Sequence, residues 1–433
     1  MKQRSIFLFW APLAAQWLMM SAEGPFLAAV IARMGDAAYN LAAYGVAFAF
    51  AILVESPVIM LMSASTALVD DAASYRRLRN FANLLNAGAT ALLLLVLVPP
   101  VFSFLTGTLL GLPQPVALRV YGALWLLLPW PAAIGYRRFL HGVLIRSGRT
   151  RLVAYGTLLR LAGMTATALV LYATTSLHGA WVGAAALSAG VCIEAAATRV
   201  MARGTLRRLL STHADALAEP AAAPGYREIA RFYYPLALTS FIALTVHPLL
   251  TFFMGRSASP VESLAIFPVV HSLSFLFRAF GFSFQEAAIA LLGRRLEHVR
   301  PLARFGFWMA VASSGSMALV AFTPLADFWF VTVSGLPPQL AELAILPTRI
   351  LVPLPALAVL VAMQQALLVQ GRRTRAISIA TALEVISIAL LFPLFGWGIG
   401  MIGVGAASAA LVGGRLLGNV YLVVPVRRLL SAS

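Results

Sequence analysis

Residues 111–151 read GLPQPVALRVYGALWLLLPWPAAIGYRRFLHGVLIRSGRTR, and the chain carries this stretch twice. Shifted by 224, residues 335–375 read GLPPQLAELAILPTRILVPLPALAVLVAMQQALLVQGRRTR. Three landmarks coincide without a gap: Pro113 with Pro337, the Pro-x-Pro pairs Pro129/Pro131 and Pro353/Pro355, and Arg149-Thr150-Arg151 with Arg373-Thr374-Arg375. One landmark alone would be chance, but three in register mark an internal duplication. Proline inside a helix removes a backbone donor and clashes one turn back, so each copy is expected to kink near mid-membrane. The copies also differ: Arg137, Arg138 and His141 stand where the second has Val361, Ala362 and Gln365.

Composition sets the class. A chain of 433 residues that is 61% hydrophobic and only 11% charged, with mean hydropathy +0.88, is too apolar for a soluble domain. Apolar runs of bilayer length predict an all-α polytopic membrane protein with helices near 6–33, 40–66, 80–104, 118–145, 152–174, 179–201, 229–254, 261–292, 302–330, 344–370, 375–393 and 399–424. The first run contains Gln16 and Glu23 and ends without a small-residue cleavage site, so it reads as a retained span. The single cysteine, Cys192, excludes a disulfide framework and a cysteine-based metal cluster.

A net charge of +17 invites a nucleic-acid reading, but its placement argues otherwise. Basic residues fall on alternate connections, and the opposite side receives only Arg33, Arg119 and Arg256. This is the positive-inside pattern, and it predicts cytoplasmic termini in a bacterial inner membrane, with anionic lipid contact at the cytoplasmic face. No basic run is interleaved with aromatics, so nucleic acid is not an expected partner.

The only long polar stretch, within 202–228, reads as a cytoplasmic linker in which Pro220 and Pro224 interrupt an Ala-rich segment expected as a short interfacial helix. It separates an N-terminal half, 1–201, from a C-terminal half, 229–433. Six helices per half give the copies the same orientation, and such parallel repeats predict a transporter with its site in a cavity between them.

Several short motifs point to a family. Ala42-Ala43-Tyr44-Gly45-Val46-Ala47-Phe48 followed by Pro57, the run from Pro347 to Gly405 ending FPLFGWGIGMIGVG, and ESLAI at 262–266 resemble the progressive ankylosis (ANKH) protein family. That family is similar in fold to the multidrug and toxic-compound extrusion (MATE) transporters, within the multidrug, oligosaccharidyl-lipid and polysaccharide (MOP) exporters. The resemblance implies a MATE-like fold of two six-helix repeats and export of a small anion of the citrate, pyrophosphate or nucleotide class.

Charges inside the spans are few and each is costly, so each calls for a partner or a polar cavity. Arg160 and Glu194 in the first half mirror Glu384 and Arg415 in the second with polarity reversed, and read as two structural ion pairs, Arg160–Glu194 and Glu384–Arg415. Glu55 and Arg278 align at offset 223. They read either as a static bridge or as the coupling carboxylate and the substrate-binding cation of an anion exporter. Glu23 and His247 form a second such pair for gating. Arg137, Arg138 and His141 below the kink, with Arg349, Gln364, Gln365 and His271, complete the expected anion-binding set. Consecutive arginines point about 100° apart, so at most one of Arg137 and Arg138 faces the site squarely.

The expected partners are therefore a small anion and a coupling proton or sodium ion, for a monomer without cofactor or metal. No nucleophile–base constellation, HExxH or phosphate-binding loop supports an enzyme. The alternatives are a flippase for a lipid-linked anion and a multidrug exporter of the same fold group. A lipid substrate needs a lateral opening between the first and eighth helices, and a soluble anion does not.

Overall fold

The computed structural model of the chain describes residues 2–211, 225–293, 296–371 and 373–431. Its described residues form helices and connections without strands, and twelve helices are long and apolar enough to cross a membrane. They are α1 (Gln3–Ala32), α2 (Ala37–Glu55), α3 (Ala72–Leu97), α4 (Gln114–Arg146), α5 (Thr150–Thr174), α6 (Gly179–Ser211), α7 (Tyr226–Gly255), α8 (Pro260–Leu291), α9 (Val299–Phe322), α10 (Pro338–Gln370), α11 (Thr374–Gly398) and α12 (Gly403–Leu430). Each coincides with one helix expected from hydropathy, and the protein is integral to the membrane because only helices satisfy the backbone of so many apolar spans. The ends differ: α6 continues to Ser211, into the expected linker. Residues 212–224, with Pro220 and Pro224, and the basic residues Arg294, Arg295 and Arg372 lie outside the described residues.

The duplication is written into the backbone as well as the residues. After α3 and after α9 a break and a short helical segment, Pro99–Ser103 and Leu325–Asp327, lead into a π-helical turn, Phe104–Leu109 and Phe328–Val333, again 224 apart. Gly111 and Gly335 then take left-handed φ of 66° and 70°, which glycine adopts without strain. Helix α4 breaks between Leu126 and Trp130, and α10 between Leu351 and Leu354. At the first break Leu128 and Trp130 N–H groups turn to the carbonyls of Trp125 and Leu127, three residues back, because Pro129 and Pro131 cannot donate. Helix α1 breaks at Ala22 and α7 at Thr245, another matched pair. The expected kinks are thus present in both copies.

Packing divides the chain differently from the sequence repeat. One compact unit comprises Met1–Gly45, Leu110–Leu112 and Leu249–Ser433, and the other Val46–Leu109 and Pro113–Pro248. Helix α1 belongs to the unit of α8–α12. There Gln3 donates to the Pro301 carbonyl (2.9 Å), Trp10 Nε1 to Ser283 Oγ (2.9 Å) and Trp17 Nε1 to Glu286 Oε1 (3.0 Å). Two glycines bring the second segment of α1 and the first half of α2 onto α8: a Cβ on Gly24 would meet Ser272 Cβ at 2.9 Å, and one on Gly45 would meet Pro268 Cγ at 2.7 Å. In the other unit α5 and α6 pack through Gly190, where an added Cβ would lie 3.0 Å from the Arg160 carbonyl, the close approach that small residues permit between membrane helices.

Candidate functional site

Two helix breaks position the charges of the unit Val46–Leu109 and Pro113–Pro248. Helix α2 ends at Glu55 because Pro57 interrupts it, and the chain resumes as the helix Leu61–Leu68. The break in α4 brings Trp130 to the start of its lower segment, where its indole N–H donates to Glu55. Below it, Arg137 and His141 lie one turn apart and face Glu194 and Thr198, also one turn apart on α6. Arg137 Nη1 bonds Glu194 Oε2 at 2.5 Å, and His141 Nε2 meets Thr198 Oγ1 at 3.2 Å. Arg160 Nε approaches the same Glu194 oxygen from α5 at 3.5 Å, and His141 lies 3.9 Å from Glu194 Oε1. Glu194 is fully enclosed, with Arg137 and Arg160 only 7% and 8% exposed.

The paired arginines separate as helical geometry requires. Arg137 turns to α6 and bonds Glu194. Its neighbour Arg138 makes no hydrogen bond or ion pair among the described residues, and its Nε is buried without a partner. The charges acting on it are those of Glu55, Arg160 and Glu194. Among the described residues, Arg138 is the member of this basic turn left without a bonded partner.

The unit containing α8–α12 repeats the theme with other residues. Glu384 accepts from Arg415 Nη2 at 3.0 Å, and the expected outer-hairpin pair is therefore in contact. Asn419 Nδ2 caps the carbonyls of Arg415 (2.9 Å) and Leu357 (3.3 Å), while Gln364 Nε2 donates to the Asn419 carbonyl (3.1 Å). Gln364 thus serves the α10–α12 contact rather than presenting both amide groups to a ligand, although its Oε1 is buried unmatched. Gln365, at the position of His141 in the repeat, is half-buried. Arg278 on α8 makes no hydrogen bond or ion pair among the described residues. Its guanidinium sits 5.7 Å from the Phe282 ring centroid, and its Nε is buried and unmatched.

The remaining candidates are engaged in different ways. Arg349 Nε donates to the Ala321 carbonyl at 3.1 Å, and its guanidinium lies over Phe322. The Thr323–Pro324 break explains this: Leu325 N–H turns to Thr323 Oγ1, leaving Ala321 to Arg349. His247 stands just after the α7 break with its ring edge-on to Phe48 at 6.3 Å, and His271 packs on Phe267 at 5.4 Å. Glu23 opens the second segment of α1 within electrostatic reach of Tyr44. Glu55 and Arg278, aligned in sequence, fall in different units, as do Glu23 and His247.

Sequence reasoning passed over Trp130, Thr198, Trp17 and Glu286. A signal existed for two of them. Trp130 stands between the prolines of the duplicated break, and Glu286 follows Arg278 by two helical turns. Among the described residues no cluster of histidine, cysteine or carboxylate side chains is arranged to hold a metal ion.

No family model matches the chain, and no curated protein sequence matches it either. Solved structures do resemble it. An inward-facing multidrug resistance MATE family transporter of the MOP superfamily superposes with TM-score 0.67 at 15% identity over 96% of each chain. The lipid II flippase MurJ in an inward closed conformation gives TM-score 0.73 at 13% identity, over 97% of this chain and 87% of that one. A point mutant of the Vibrio cholerae MATE transporter VcmN gives 0.62 at 15% identity over 100% of this chain and 97% of that one. At such identities the likeness establishes the fold, a MATE-type arrangement of two six-helix repeats.

Proposed function

We propose that the protein is a secondary active transporter that exports a small organic or phosphate-type anion by alternating access of its two repeats, in the bacterial inner membrane with both termini cytoplasmic. The observation carrying this reading is that four carboxylates in the spans have donors while an arginine in each unit lacks one. Glu55 is held by Trp130, Glu194 by Arg137, Glu384 by Arg415 and Glu286 by Trp17, whereas Arg138 and Arg278 have no bonded partner among the described residues. An unpaired guanidinium at membrane depth costs several kcal/mol, on the order of the insertion penalty for a mid-span charge. An entering anion removes that cost by charge-assisted hydrogen bonds, whereas a cationic drug aggravates it. The anion class and the outward direction also follow the resemblance of the short motifs to the progressive ankylosis family, and likeness to MATE and MurJ structures supplies the transporter precedent.

The second reading, a flippase for a lipid-linked anion, is favoured by the same arginines. It needs α1 to part from α8, and the fastening of α1 on α8 through Trp10, Trp17 and Gly24 supports a soluble anion instead. Counterflow of labelled citrate, pyrophosphate and nucleotide in proteoliposomes tests the proposal. Arg138→Ala and Arg278→Ala are expected to abolish uptake, and Glu55→Gln to keep binding while losing the response to a pH gradient. Absence of flux for every soluble anion, with translocation of a lipid-linked one, transfers the protein to the second reading.

A further inference from the structure

We infer that the site at Arg278 takes an elongated aromatic anion whose far end carries a hydrogen-bond donor, laid along α8 between Arg278 and Glu286. This rests on the anion reading and narrows its substrate class. Phe275, Arg278, Phe282 and Glu286 recur at the three- and four-residue spacing that keeps side chains on one helix face. Phe275 and Phe282 lie 5.7 Å apart, the Arg278 guanidinium lies over Phe282, and Trp17 of α1 stacks on Phe282 at 5.1 Å while donating to Glu286. The first three are half-buried and Glu286 is exposed. A carboxylate directed at hydrocarbon is expensive, so this face borders polar space.

Packing of α1 on α8 accounts for the Trp17–Phe282 stack. It does not account for a guanidinium without a bonded partner at one end and an exposed carboxylate at the other. Eight residues at 1.5 Å rise separate these two by about 12 Å along the axis, with aromatic faces between. Citrate and pyrophosphate are too short to reach both ends. A flat ring bearing an acid at one end and an amino group at the other satisfies every group: the acid bonds Arg278, the ring stacks on Phe275 and meets the edge of Phe282, whose faces hold Trp17 and Arg278, and the amine donates to Glu286. Glu286 accepts this bond beside the one from Trp17, because a carboxylate has about four acceptor positions.

Titration calorimetry of the purified full-length protein with para-aminophenylbutyrate, phenylbutyrate and citrate tests this. Both aromatic acids are expected to bind more tightly than citrate, the amino compound most tightly. Phe282→Leu, which keeps bulk but removes the aromatic edge, should weaken both aromatic acids roughly 3- to 10-fold and leave citrate unchanged. Glu286→Leu should cancel only the advantage of the amino group. Each variant is used only if it elutes as a monodisperse species. Citrate binding more tightly than the aromatic acids, or aromatic binding indifferent to Phe282→Leu, overturns the inference while the anion reading stands. Binding of none of the three, or binding indifferent to Arg278→Ala, overturns both.

Discussion

Arg137 and Arg138 are neighbours in the chain with opposite surroundings. Arg137 neutralises Glu194, which has no exposure at all, and removing one partner of a buried pair leaves an uncompensated charge costing roughly 3–5 kcal/mol. Arg160 at 3.5 Å recovers part of that, so Arg137→Ala is expected to lower stability by about 3 kcal/mol. Arg138→Ala removes a cation that has no bonded partner and should leave stability intact while abolishing anion binding. Thermal unfolding and counterflow measured on both variants separate the two roles. Equal melting losses would show that Arg138 is paired too. His141 and Thr198 continue the Arg137–Glu194 ladder by one turn, which places His141 with the structural cluster rather than with Arg138.

At the scale of elements, the lower segment of α4 is seated by two glycines. A Cβ on Gly142 would lie 1.8 Å from Ser65 Oγ and 2.3 Å from the Met62 carbonyl, and one on Gly135 would lie 1.8 Å from Asn86 Oδ1. Backbone has nowhere to move there, so Gly142→Ala should push α4 from the helix Leu61–Leu68 and cost about 1–3 kcal/mol. It should also loosen the Trp130–Glu55 bond that depends on this seating. Gly88 on α3 has nothing within 4 Å of the added carbon. Gly88→Ala is therefore expected to raise stability by up to about 1 kcal/mol through helix propensity. Melting curves of the two alanine variants, moving in opposite directions, check the packing. A loss at Gly88 would contradict the open surroundings of that position.

For the whole molecule, the charge pattern predicts a side of the membrane for each connection. The three arginines on the weakly basic side do not break the rule without reason. Arg33 donates to the carbonyls of Thr332 and Val333 at the end of the π-helical turn, Arg119 to that of Pro115, and Arg256 lies over Phe252. Each has a local structural task, so none argues for reversal. In a Cys192→Ser background, Ser176→Cys between α5 and α6 should react with an impermeant maleimide in intact cells. Ser211→Cys at the end of α6 should react only after permeabilisation. Labelling in the reverse order would invert the topology and with it the assignment of inner and outer ends.

What the sequence determined by itself was the number of helices, their succession, the breaks of α4 and α10, and the duplication. These follow from local chemistry: apolar length sets a span, proline ends a hydrogen-bond ladder, and glycine takes left-handed φ, all within a few residues of where the signal is written. It also brought Arg160 to Glu194 and Glu384 to Arg415, because each pair sits on consecutive helices of one hairpin. Tertiary structure decided the rest. Which of two adjacent arginines stays unpaired depends on whether α4 meets α6 or α2 at that turn. That α1 packs with α8 depends on Trp10, Trp17 and Gly24 finding partners more than two hundred residues away. The partners of Glu55 and Arg349 are likewise set by helix breaks that bring Trp130 and the Ala321 carbonyl to them across the fold. Hydrogen bonds and ion pairs act only at contact distance, and which side chains reach contact is fixed by how the helices pack.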